Sequence, residues 1–507
     1  MRISAVALIA MAMANPSTAT SEVDAPASVI PWLSESLAAP VVPQEPAVSP
    51  SILPEVAVTP LGAVEASTAG LITADAAGLP SDLWAHSDAN RLAELIAAMP
   101  SSHLPAVRRM LMTLLLVEAE PPIGPTETFL TTRIDALLRL GALDAAQALL
   151  ERAGPTTPEL FRRWFDVGLL TGTEDRACAT LAAKLELSAS YPARIFCLAR
   201  AGRWPTAELT LETASALGQI DDGTQLRLAW FLDPDLFEGT PPPPRPDPVT
   251  PLDFRILEAV GEPVPTRDLP LAFAQSDLRH VIGWKAQLEA AERLARDGAL
   301  DPNQLLGIYT VRTPSASGGV WDRVAAIQVL DITLNAGDLD GVAATLGPAR
   351  QVMHEASLDA VLAKLIAPRL ARLDLPSEAA EEAYELALTS DTKAAFSPPP
   401  EASRLTERTT FLSAIARGNL EDASPANDRE AAIRAAFMSD ELAPSDAALL
   451  DEARIGEALL SALVTLAPGL DADPNDAGRA LALLRAADHE TTARHIALQM
   501  LGLDFRG

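Results

Sequence analysis

The chain has 507 residues and a formal net charge of −29, from 39 basic and 68 acidic side chains. Phosphate backbones and anionic lipid surfaces are gripped by clustered Lys and Arg, so this balance argues against nucleic acid as a partner and disfavours a membrane surface. Apolar residues make up 48% of the chain but aromatic ones only 4%, with alanine and leucine dominant, which favours helix over strand and predicts an all-α protein in two or three packing units.

Met1–Ala14 reads as a secretory signal. Arg2 supplies the positive start, Ile3 to Ala14 the apolar run, and Ala12-Met13-Ala14 a small-x-small cleavage pattern before Asn15. That run is too short to cross a bilayer, so no transmembrane segment is expected after its removal, and the expected location is periplasmic or secreted. Residues 15–80 are rich in Pro and Ala, and no Lys or Arg occurs between Arg2 and Arg91. Prolines 40, 43, 46, 50, 54 and 60 break helices and ladders alike, which predicts a disordered linker. Within it Val29–Leu37 forms an apolar island, with Trp32, Leu33 and Leu37 along one side of a short helix begun by Pro31. Two readings stand: a docking motif on a tether, or a tail that packs back on its own domain.

From residue 81 onward, three helical blocks are predicted: 81–239, 252–396 and 402–507. They are divided by the proline runs Thr240–Pro251 and Ser397–Pro400. The first block contains an apolar helix around His103–Glu118. It also contains an amphipathic pair, Thr126–Leu140 and Leu143–Ala153, parted by Gly141 as a left-handed helix end. The two cysteines, Cys178 and Cys197, fall on neighbouring helices, about Thr173–Leu187 and Pro192–Gly202. In an exported chain this predicts one disulfide, with two buried thiols as the alternative. In the middle block Trp284–Arg296 is amphipathic. The loop Thr313–Trp321 carries Gly318 and Gly319, whose amides can face an anion or a peptide carboxylate, or which simply form a flexible turn before the Trp321 helix.

Three junctions share a local pattern: Gly141-Ala-Leu143 with Ala146, Leu150 and Ala153; Gly202-Arg-Trp204 with Ala207, Leu211 and Ala214; and Gly337-Asp-Leu339 with Val342, Leu346 and Ala349. This resembles the turn and second helix of tetratricopeptide repeats. The glycines are 61 and 135 residues apart, which are not multiples of that family's period, and its first-helix signature is missing. The resemblance implies an irregular tetratricopeptide-like solenoid of helical hairpins, a shape that offers concave surfaces to peptides. Further stretches, Trp32–Ser36, Leu160–Phe165, Arg194–Arg200, Gly283–Ala286 and Ser317–Arg323, make the chain similar to a family of secreted bacterial proteins sometimes labelled "antifreeze" polyproteins. That resemblance implies export and carries no established activity.

No catalytic motif is complete. His489-Glu490 and His495 have a separation of six instead of the four that a zinc-protease helix needs, so surface histidines are expected. Asp471-Ala-Asp473 begins like a calcium loop but lacks its glycine and closing glutamate, and reads as a helix cap. Ser390-Asp-Thr-Lys393 has none of the companion motifs of a penicillin-binding site, and the serine is expected to end a helix. No metal and no cofactor are predicted. The expectation is a non-catalytic exported scaffold binding a protein or peptide partner, with Gly318, Gly319, Trp321 and the Trp32 segment as contact points. The alternative is a cell-envelope enzyme assembled in the middle block from Asp322, Arg323, Glu289 and Glu292.

Overall fold

The computed structural model describes residues 68–503, apart from 391, 393, 394, 396 and 400–404. The signal sequence, most of the 15–80 segment and the Trp32, Leu33 and Leu37 island lie outside the described residues. The protein is all-α: among the described residues, helices run from Ala74–Ala77 to Glu490–Gly502, and the one strand pair is Ile72–Thr73, parallel to Val117–Glu118. Its first strand, Ile72–Thr73, falls inside the segment predicted to be a linker, so ordered structure begins ahead of the boundary expected at residue 80. None of these helices is long and apolar enough to cross a membrane.

Local sequence sets the elements. Thr126–Arg139 buries Phe129, Leu130, Ile134, Leu137 and Leu138 on one face; Gly141 turns the chain at φ +70°, and Leu143–Ala153 buries Ala146, Leu149 and Leu150. A side chain at φ > 0 is strained, so glycine is the residue this turn admits. Thr157, Asp221, Asn427 and Asp473 each cap a helix by accepting a backbone amide, which gives the acidic 471–473 turn its capping role. At the three similar junctions Ala146, Ala207 and Val342 are fully buried. The large residue differs: Leu143 is buried, whereas Trp204 is 47% exposed and rests on Phe231. The cysteine helices are also shorter than expected, Glu174–Ala183 and Tyr191–Arg200, with a 3-10 turn at Leu185–Leu187 between them.

The proline runs do not delimit the packing. Helix Pro251–Ala259 follows the first run, yet its Leu252, Phe254, Ile256 and Leu257 join the core of the preceding helices. A separate core occupies the middle of the chain, from Leu271 to Leu386. The first core extends instead to the C-terminal helices, taking in side chains as far along as Leu503.

Contacts between the first and the last described helices join the two. Ala106 donates its amide to Gln499 Oε1 at 2.8 Å, and Gln499 Nε2 donates to the Thr389 carbonyl at 3.2 Å, with Gln499 0% exposed. Gly456 donates its amide to the Leu83 carbonyl at 3.2 Å. Arg91 Nε lies 3.3 Å from Glu457. Nearby, the buried Arg133 guanidinium donates to the carbonyls of Leu115, Ala69 and Val117 at 2.9–3.0 Å, tying the strand pair to the helical body. His495 belongs to this junction too. It is 4% exposed, with Nδ1 near the Thr491 carbonyl and Arg109, which corrects the expectation of a surface histidine.

Close packing at this junction makes Gly456→Ala a direct probe. A Cβ there would stand 2.4 Å from Trp84 Cε3 and 2.7 Å from the Leu83 carbonyl. Overpacking of this kind costs about 1–3 kcal/mol, against a gain of about 1 from helix propensity. The expected result is a lower denaturant midpoint with an unchanged slope. A second prediction concerns His103, buried with both ring nitrogens unpartnered and its pKa pushed from 6.5 to about 3, by burial first and then by Arg108 and Arg139. The unfolded chain therefore binds the proton and the folded one does not. Stability is fully present above pH 6.5 and declines on acidification by up to about 1.4 kcal/mol per pH unit. Unfolding of His103→Gln measured between pH 7 and about pH 5, before carboxylates titrate, should show a shallower slope than the parent.

Candidate functional site

Of the expected middle-block residues Glu292 and Arg323 meet, in a way that leaves little free chemistry, and Glu289 does not join them. The loop before helix Val320–Ala336 turns on Gly318 and Gly319, at φ +93° and +57°, where glycine is needed for its backbone and not for space. Gly318 gives its amide to Asp322 Oδ1 at 2.9 Å, so the loop spends that donor on its own helix. Trp321 meets Trp284 with ring centroids 5.2 Å apart, and the Trp284 indole N–H donates to the Ile308 carbonyl.

Beneath them lies Glu292, 3% exposed. Arg323 donates to both its oxygens, at 2.8 and 2.5 Å, and Tyr309 Oη donates to Oε1 at 2.7 Å. The fork holds three helices together: Trp284–Arg296, Pro302–Thr310 and Val320–Ala336. Hydrogen bonding to Glu292 raises the Arg323 pKa, and burial followed by Glu292 raises that of Tyr309. Neither group is poised to exchange a proton near neutrality. Glu289 stays apart on the solvent side, paired with Lys285 at 3.0 Å. Ser390, at the end of helix Ser377–Thr389, gives its hydroxyl to the Ala387 carbonyl.

A second place, invisible in the sequence, lies beside the cysteines. Cys178 and Cys197 stand at disulfide distance, with Cα atoms 5.0 Å apart. On the outer side of their helices runs a groove of about 550 Å³ lined by both cysteines and by Leu181, Leu185 and Leu198. Arg194, Arg200 and Arg203 line it as well. Arg194 is held by the Ser188 and Leu185 carbonyls and Arg200 by Asp175. Leu185 is 54% exposed, and the neighbouring helix Trp204–Ala216 exposes Trp204 and Leu209. The signal that pointed here was the cysteine pair; the groove itself arises where the 3-10 turn leaves Leu185 uncovered.

The cysteines are 19 residues apart, and closing a loop of that size restricts the unfolded chain by about 3 kcal/mol. Cys178→Ser or Cys197→Ser should therefore lower the unfolding midpoint, and a reducing agent should lower that of the parent to the same value. Compared with family models, curated proteins and solved structures, the chain matches none of them.

Proposed function

We propose that this chain is an exported, non-catalytic helical scaffold, and that the groove beside Cys178 and Cys197 receives an apolar protein segment bearing acidic side chains. The groove carries the reading: leucines form its walls and three arginines edge it, in a chain whose net charge is −29. Leucine walls reward burial of an apolar segment, and the arginines supply charge complementarity and orientation. Export is supported by the signal-like start and by cysteines at bonding distance. The enzyme alternative has its best group, Glu292, engaged on both oxygens, and no observation favours it.

Leu185→Asp is the direct test, since Leu185 is exposed and its replacement leaves the core intact. Tagged parent, tagged Leu185→Asp and a chain lacking residues 15–67 are each used to capture proteins from envelope extract. The expected outcome is one partner retained by the parent, released by added salt, and lost from Leu185→Asp at unchanged circular dichroism. Equal capture by parent and Leu185→Asp, or no specific capture by the parent, would count against the groove. Loss only on deleting 15–67 would move the contact to the Trp32 segment.

A further inference from the structure

Where the N-terminal and middle helices meet, a cavity of about 270 Å³ is lined by basic side chains from three elements: Arg108 on Pro105–Leu116, Arg296 on Trp284–Arg296 and Lys364 on Asp359–Leu370. Arg108 is 5% exposed. Its Nη2 donates to the Leu140 carbonyl at 2.8 Å, while Nε and Nη1 have no hydrogen-bond partner. A buried guanidinium with unmet donors is costly, and an anion in the neighbouring cavity offsets part of that cost through space by balancing its charge.

The surroundings are built around this arginine. Gly298, at φ +69°, turns the chain beneath it, and a Cβ there would stand 2.6 Å from Arg108 Cδ and 2.9 Å from Nε. Only glycine leaves room for the side chain to lie across the turn. Arg296 is held in place by the Ala356 carbonyl at 2.9 Å. Helix Asp359–Leu370 lines the cavity with Ala360 and Val361 of its first turn, and its N-cap, Leu358, supplies no side-chain cap, so the partial positive charge of that helix end lies beside the cavity, next to Asp359. Two acids share the wall. Asp301 is engaged with Asn303, and Asp297 acts on Arg108 through space.

We propose that this cavity binds a small oxyanion of the phosphate class, held by Arg296, Lys364 and the amino end of helix Asp359–Leu370 in the field of Arg108. A compact group with several acceptor oxygens matches donors that converge from separate elements, which a single planar carboxylate serves less well. The source can be inorganic phosphate or a compact phosphomonoester, and the same chemistry recognises both.

The test uses the full mature chain and inorganic phosphate, with glycerol phosphate and acetate as parallel probes and sodium chloride at matched ionic strength as control. Calorimetric titration and thermal unfolding are followed in the parent, in Lys364→Gln and in Arg108→Met. Phosphate should raise the parent's unfolding temperature above the chloride control, and acetate should not. Lys364→Gln, at an exposed position, should fold normally and bind about ten-fold more weakly, the weight of one charge-assisted contact. Arg108→Met should keep its helical signal and lose the phosphate-dependent rise. Tighter binding of glycerol phosphate than of phosphate would assign the site to a phosphomonoester, and the reverse to the free ion. Absence of a phosphate-specific rise in the parent would overturn the proposal. So would a rise and affinity in Lys364→Gln equal to the parent's, a comparison that still decides the matter if Arg108→Met does not fold.

Discussion

The rest of the structure depends on the joining of the chain's two ends. Helix Pro105–Leu116 begins with an amide that Gln499 satisfies, and helix Ile455–Leu466 begins against the backbone of Leu83 and the ring of Trp84. An open stack of hairpins has two terminal faces that must be capped or solvated. Here the first helices and the last cover each other, and their leucines, alanines and aromatics form one core. The middle helices hold a second core, from Leu271 to Leu386. Surfaces beside these cores are thereby fixed in position, which is what a binding groove or cavity requires.

Much of the scarce positive charge is used to hold backbone together. Arg133, Arg139, Arg194, Arg293, Arg429 and Arg434 donate to main-chain carbonyls at turns and helix ends. Arg163 makes a buried fork on Asp135, at 2.6 and 2.7 Å. A planar guanidinium suits this role because its donors diverge in a fixed pattern and reach carbonyls that no helix ladder satisfies. Two places set positive charge beside open space as well: the groove at Cys178 and Cys197, edged by Arg194, Arg200 and Arg203, and the cavity lined by Arg108, which keeps two donors unmet.

What was legible in the sequence was local. The all-α class followed from composition. The bounds of Leu143–Ala153 and Trp284–Arg296, the left-handed Gly141 and the cap at Asp473 followed from periodicity and end signals. The cysteine pair at disulfide distance was also expected, from adjacency on neighbouring helices. What stayed hidden were contacts between distant parts of the chain. Gln499 and His495 look like ordinary polar residues of a terminal helix, and only the fold brings them against Ala106 and Arg109. The middle block was singled out for its glycines and tryptophans. Those residues meet, yet Asp322 and Tyr309 occupy the donors and acceptors that made them attractive. Leu185 and Arg108 carry no motif, and their significance comes from a turn that uncovers one and a glycine that makes room for the other.

The closing of the two ends is tested most directly by amide hydrogen exchange across a denaturant series. Helices Pro105–Leu116 and Glu490–Gly502 are far apart in sequence but share one core. Their slowest amides should exchange with the same opening free energy and the same denaturant dependence, as members of one cooperative unit. Loss of protection in Glu490–Gly502 at lower denaturant, with Pro105–Leu116 still protected, would contradict the account.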